Sequence, residues 1–573
     1  MFDFEKKISR RKFLEYSAAT CTAVCLGWDE CLARGKVYAD LVLLNGKILT
    51  INKKDQIAQA VAVKGNKIMK VGTNKQINSL INSDTNVIDL EGKTVTPGIV
   101  DSHVHVMYYG RAGWEGFLNV RYPAVKSLDD LLKAIEEKAK TTPNGQWISG
   151  NQGFRFDHDT QIDRWILDTV SPNHPVYLRD SSGQYSVANS LALEKANIDK
   201  NTKDPLNGKI MRNENGEPNG LLLHYPAENL VMTIADGYSG LTDKDLEDDV
   251  LRAQDTLLAA GITSGQDVIV GNVRDLNVYK NLADSNKLKM RIYTLLYVES
   301  EEAAQDYANT LHGYKTDYLT FAGWKLAIDG GPSAGTVLMY NNQLSASRNS
   351  YYYFDPQTLK RIVSLLHNTG LQIAFHIVGD KGIDETLVAI EYAMKVKKRK
   401  NHRHRIEHCI FVNPNSLTKM KKLGIVVSTS PQWISWHSDY YYEATDDATM
   451  ENMMLLSSIL KNKIPLAFGC DVPASITHYP KWALYGAITR QSLNTAYTPQ
   501  PSQCLNIHQA LYAHTMGSAY AAFEEKIKGS IEVNKLADMV VWSHDLYSVS
   551  AEDLKNVEAL MTIVDGKIVY EKT

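Results

Sequence analysis

Thr96-Pro97-Gly98-Ile99-Val100-Asp101-Ser102-His103-Val104-His105 is an apolar strand that ends in two histidines one residue apart. Alternate residues of a strand project from the same face. His103 and His105 therefore leave it side by side, while Val104 turns the other way. Two neutral imidazoles held in this way form half of a metal site. The remaining ligands have to come from other strand ends.

Other apolar runs offer them. Leu371-Gln372-Ile373-Ala374-Phe375-His376 ends in a histidine, and so does Arg405-Ile406-Glu407-His408. Pro465-Leu466-Ala467-Phe468-Gly469-Cys470-Asp471 ends in a carboxylate, and Trp324-Lys325-Leu326-Ala327-Ile328-Asp329 sets a lysine inside an apolar run. Each candidate sits at or near the carboxyl end of its run. In an α/β protein of the (β/α)8 TIM-type barrel class, those ends converge on one mouth, where the chemistry is found. Roughly eight buried-strand candidates, the number such a barrel needs, lie around His103, Ser264, Tyr293, Lys325, His376, Glu407, Val427 and Gly469. Helical stretches at Leu246–Ala260, Pro356–Asn368, Ile383–Lys397 and Asn415–Leu423 separate most of them.

The gap between the first two strands is too long for one helix. Residues from about 108 to 240 are expected to form an insertion after strand 1 that sits over the barrel mouth. Val176–Arg179 and Gly208–Arg212 read as strands within it. Outside the barrel, Asp40–Thr50 reads as a hairpin with an Asn45-Gly46 turn. Short strands follow at Ala60–Val63, Lys67–Val71 and Asn86–Leu90, and the style returns at Asp538–Trp542 and Met561–Tyr570, around Asp565-Gly566. Neither cluster closes a core alone, so both chain ends should share one small β-sandwich. The expected division is 37–95 and 527–573 for the sandwich and 96–526 for the barrel.

The chain has 573 residues, 44% hydrophobic and 22% charged, with a net charge of −3. That is ample for a large core. No basic stripe invites nucleic acid. At the N-terminus, Ser9-Arg10-Arg11-Lys12-Phe13-Leu14 resembles the twin-arginine export signal, with a weakly apolar stretch after it and a cleavage point after Ala33. Residues 1–33 are thus read as a signal peptide, the export machinery as a partner, and the location as periplasmic, or cytoplasmic if the signal does not function. Of six cysteines, Cys409, Cys470 and Cys504 would remain, an odd number that implies no disulfide framework.

With these residues assembled, the chain resembles the amidohydrolase superfamily, in its amidohydrolase 3 branch. The matching motifs are Thr96–His105, Gly261–Asp267, Lys325–Gly330, His376–Asp384, Arg405–His408, Gly469–Pro473 and Lys528–Asp538. Two stretches depart from the branch pattern. Gly183-Gln184 stands where a Gly-His pair is expected, and Gly220-Leu221-Leu222-Leu223-His224 where Gly-x-Leu-x-Glu is common.

The resemblance implies a ligand set. His103 and His105 would hold the more buried metal, and Lys325 would bridge as its carbamate (N6-carboxylysine), formed with CO2. His376 and His408 would hold a second ion, and Asp471 would ligate and carry the proton. Zn2+ suits these donors, as one or two ions, though another divalent metal would serve. Two alternatives stay open: Lys325 as a plain ion pair with Asp329 or Asp471, and Asp471 as a mere anchor. Asp329, Gln184 and Trp433 are candidate substrate contacts, the last from an aromatic loop after strand seven. The implied activity is hydrolysis of a carbon–nitrogen bond, amide or formamide, in a small molecule by an activated water. A deaminase, a cyclic-amide hydrolase, or a silent binding or regulatory protein would share the scaffold. A homo-oligomer is compatible with the sequence and not required by it.

Overall fold

The computed structural model describes residues 37–153, 162–332, 335–341 and 352–572. The twin-arginine stretch and its cleavage point lie outside them. Among the described residues, no helix is long and apolar enough to cross a membrane.

Eight strands form the barrel: β1 (Ile99–Val104), β2 (Ile262–Val270), β3 (Arg291–Tyr297), β4 (Leu319–Ala327), β5 (Gln372–Ile377), β6 (Arg405–His408), β7 (Val426–Thr429) and β8 (Leu466–Phe468). They pair in chain order, each parallel to the next. β1, β6, β7 and β8 are buried along their whole length. Burial on both faces is why these runs do not alternate between buried and exposed positions.

The barrel closes just beyond β8. Asp471 N donates to His103 O at 2.7 Å, and His105 N donates to Val472 O at 3.0 Å. Gly469 permits the approach, since a Cβ there would lie 2.4 Å from His103 N. The closing bonds thus join the two segments that carry the candidate ligands.

The outer helices follow from local signals. Pro356–Asn368 has Asp355 as its cap, accepting from Gln357 N and Thr358 N, and Pro at its first turn. Leu359, Ile362, Val363 and Leu366 recur at helical spacing and are buried. Asp243–Ala259 opens with a Thr242–Asp245 capping box; removing such a cap costs about 1 kcal/mol.

Between β1 and β2 the insertion builds a five-stranded sheet in the order Lys209–Arg212, Pro218–Leu223, Tyr185–Ala188, Val176–Arg179, Ile148–Ser149. Apolar clusters flank it on both sides. The sandwich stacks a four-stranded sheet on a six-stranded one. Leu41, Val61 and Val63 from the first segment pack with Met539, Val541 and Ile563 from the second. Arg291 of β3 ties the sandwich to the barrel through Asp538 at 2.8 Å and Asp565 at 2.7 Å.

One expected hairpin is not one. Leu41–Leu44 and Lys47–Leu49 lie in different sheets, so Asn45-Gly46 carries the chain across the sandwich instead of pairing its flanks. Leu90 packs against Gly46, where an added Cβ would lie 2.2 Å from its Cδ1. The Asp565-Gly566 turn does join a true hairpin, Ala559–Val564 with Lys567–Glu571, and both its residues have positive φ, 58° and 74°.

Candidate metal centre

The carboxyl ends of β1, β6 and β8 bring His103, His408 and Asp471 together, with one ligand atom of each within 4.8 Å of the others. All three are buried. His103 Nε2 stands 3.1 Å from Asp471 Oδ1, and His105 Nε2 stands 3.0 Å from the same oxygen. His105 has left the strand and occupies the position before the helix Val106–Ala112, yet its ring still turns to the shared carboxylate. The His408 ring lies 4.6 Å from that of His103 and 4.5 Å from that of His376. These five side chains therefore form one patch at the barrel mouth, with Lys325 lining the same cavity as His105 and His376, and His408 links its two halves.

His408 and Asp471 adopt left-handed backbone angles, φ 65° and 58°. Such angles are costly away from glycine and persist where the surroundings over-determine them. Here they fall at the last residue of β6 and just past the end of β8.

The electrostatics suit a cation. Burial works against the charge of Asp471, but His103, His105 and His408 hold its carboxyl well below the usual range. Burial pushes the Lys325 amine down to about 8 against the pull of Glu407 and Asp471. His376 is driven down to about 3 by burial and by Lys325. Burial and the neighbouring imidazoles likewise keep His408 neutral.

His105 Nδ1, both ring nitrogens of His408 and Lys325 Nζ are buried without a hydrogen-bond partner among the described residues. Each orphaned polar atom costs about 1–3 kcal/mol. Imidazoles and a carboxylate gathered around one point are the donor set of a divalent ion, so the residues fit such an ion.

The residues behind the ligands are as specific. His103 Nδ1 lies 2.6 Å from Glu407 Oε2, which leaves Nε2 facing the centre. Arg405 grips Glu407 through Nε at 2.7 Å and Nη2 at 2.9 Å. Asp101 accepts from His103 N at 3.0 Å and Cys470 N at 2.9 Å, pinning both ligand-bearing segments. Gln432 Nε2 donates to Cys470 O at 2.7 Å. The sequence reading left Glu407 and Asp101 without a role. The alternation Arg405, Glu407 along one strand face was the available signal.

Three substrate expectations fare differently. Gln184 lines the cavity of about 260 Å³ that His105, Lys325 and His376 also line. Asp329 does not: it is fully buried and accepts from Val378 N, Gly379 N and Leu338 N at 3.0, 2.8 and 3.2 Å. It is a clamp on the segment after His376, because three backbone donors already claim its oxygens. Trp433 belongs to a helix, Gln432–Glu443, rather than a loop. Its ring stacks on His408 at 5.3 Å and 8°, with Nε1 on Ser475 Oγ, so it braces a ligand and does not line the cavity.

Residues 86–570 match the profile of the Amidohydrolase family. The chain belongs to the Amidohydrolase family. Among relatives of this amidohydrolase, LONG AFTER FAR-RED 3 of Arabidopsis thaliana is 29% identical, over 93% of this chain and 92% of its own. N-substituted formamide deformylase of Arthrobacter pascens is 25% identical, over 93% and 99%. A metal-dependent hydrolase of Pyrococcus horikoshii shares the fold at a TM-score of 0.70 and 23% identity, over 89% of this chain and 99% of that one. The two departures from the branch pattern also meet in this amidohydrolase: His224 N donates to Gln184 O at 2.8 Å.

Proposed function

We propose that this amidohydrolase-family chain hydrolyses the carbon–nitrogen bond of a small amide or formamide, using Zn2+ held by His103, His105, His408 and Asp471. The observation that carries this is the buried cluster of His103, His408 and Asp471, with His105 against the same carboxylate and imidazole nitrogens left without partners. His376 and Lys325 would complete a second position, Lys325 as a carbamate; its lowered pKa raises the fraction of neutral amine that CO2 needs. When bound, the ion supplies Lewis acidity, lowering the pKa of water towards ~7 and polarising the carbonyl.

The chain's own groups do the rest. Asp471 Oδ1, within 3.1 Å of both His103 and His105, takes the proton from the attacking water and returns it to the leaving nitrogen. Glu407 keeps His103 in the tautomer whose Nε2 faces the centre. The insertion, through Gln152, Arg179 and Gln184, walls the cavity and limits bulk water. The likeness to N-substituted formamide deformylase supports a formyl or short acyl group as the part cleaved.

The test is metal analysis followed by hydrolysis of a panel of N-formyl and N-acyl amines. Turnover should depend on bound metal and vanish in Asp471→Ala while much of the metal remains. Metal-free protein with full turnover, or an active Asp471→Ala, overturns the reading. Export through Arg10 and Arg11 is proposed with it. Arg10→Lys with Arg11→Lys should hold the protein in the cytoplasmic fraction, and unchanged periplasmic recovery would refute export by that route.

A further inference from the structure

Three side chains from separate parts of the chain form a chain of hydrogen bonds at the cavity wall. Tyr353 Oη donates to Gln184 Oε1 at 3.1 Å. It therefore accepts from His224, whose Nδ1 lies 3.0 Å away. His224 is 1% exposed, and burial pushes its imidazole down to about 4, so it is a neutral ring. It has a φ of 64° at the first turn of the helix His224–Met232, a backbone state found where surroundings over-determine the residue.

The segment after β4 is shaped to this group. A Cβ on Gly331 would lie 3.0 Å from Gln184 Cγ, and one on Gly330 would lie 3.2 Å from His224 Cε1. These glycines follow Lys325 by a few residues, so the hydrogen-bond chain is braced against the segment that leaves the centre. The main-chain carbonyl of Gln184 is also taken, by His224 N at 2.8 Å.

With Oε1 and the carbonyl so held, the amide nitrogen of Gln184 is the group left to face substrate in a cavity shared with His105, Lys325 and His376. Arg179 on the same wall is neutralised by Glu228 at 2.8 Å. This part of the wall thus offers a neutral donor.

We propose that Gln184 is the specificity-determining contact of the site, donating from Nε2 to the carbonyl oxygen of a neutral amide, with Tyr353 and His224 as positioning residues that hold its amide the right way round. This rests on the hydrolase reading above.

The test uses the zinc-loaded full chain and its Gln184→Leu, Gln184→Glu, Tyr353→Phe and Gln184→Leu/Tyr353→Phe variants, with metal content and kcat and KM on N-formyl and N-acyl amines. Metal content stays at the wild-type level. Gln184→Leu raises KM and lowers kcat/KM about 10-fold, the worth of one hydrogen bond. Gln184→Glu loses more, because a carboxylate then faces the carbonyl oxygen. Tyr353→Phe loses less, and the double variant is no worse than Gln184→Leu, since both changes act through one amide. Single variants within twofold of wild type, or Tyr353 and Gln184 effects that add in full, overturn the proposal. If the wild type hydrolyses nothing, the hydrolase reading has failed, and equilibrium binding of N-benzylformamide decides this inference separately. Binding at least 10-fold weaker in Gln184→Glu sustains it; equal binding, or none to the wild type, overturns it.

Discussion

Glu407 Oε2 and His103 Nδ1 lie 2.6 Å apart although 304 positions separate the two residues. Arg405 holds Glu407 from the other side, and burial is outweighed by Arg405 and His103, so the carboxyl stays well below its usual range. A permanent acceptor behind His103 keeps its proton on Nδ1 and its lone pair at the centre. Glutamine at 407 retains the shape but not the charge. Glu407→Gln should weaken metal affinity by about 10- to 100-fold, measured by competition with a chelator of known affinity. Unchanged affinity would show that His103 does not depend on its partner.

Gly469 is where the barrel closes. A methyl group there would come within 2.6 Å of His103 Cβ as well as its backbone nitrogen. Neither strand end can retreat without breaking the Asp471 N to His103 O bond at 2.7 Å. Gly469→Ala should cost about 1–3 kcal/mol, as overpacking does, and should lower metal content as well. Denaturant unfolding and metal analysis of the same sample check both effects.

The fold was largely legible because strand burial and ligand placement leave local marks. A histidine at the end of an apolar run, repeated at β1, β5 and β6, is visible without any neighbour. Pro356–Asn368 was legible to the residue, since cap, proline and apolar spacing agree there. The Asp40–Thr50 segment was misleading because Asn-Gly marks a turn but not which sheet receives the next strand. Glu407 was hidden for a related reason. Its partner lies across the barrel on β1, and no local pattern records which side chains face each other through the interior. Asp329 and Trp433 carried the right chemistry in the right neighbourhood, but what occupies their polar atoms and faces depends on backbone donors and a ring contributed from elsewhere.

Acid stability has a distinct source in His514. This residue is fully buried beside Phe468, and neither ring nitrogen has a partner among the described residues. Burial lowers its pKa from 6.5 to about 3. Between those values the unfolded chain binds the proton and the folded chain does not, so stability present above pH 6.5 is lost as pH falls towards 3. The loss is on the order of a few kcal/mol. His514→Leu removes the effect together with the two unmatched ring nitrogens. Its urea midpoint should equal or exceed that of the wild type at pH 7 and fall less by pH 4. A parallel fall in both proteins would assign the acid sensitivity elsewhere.

β1, β6 and β8 together deliver a cation-binding centre. It is tested most directly by anomalous difference maps collected on either side of the zinc absorption edge from zinc-loaded crystals. A strong peak enclosed by His103, His408 and Asp471 is expected, with any second peak beside Lys325 and His376. Catalytically active crystals with no peak at the barrel mouth, or with their only peak at a surface site, would contradict it.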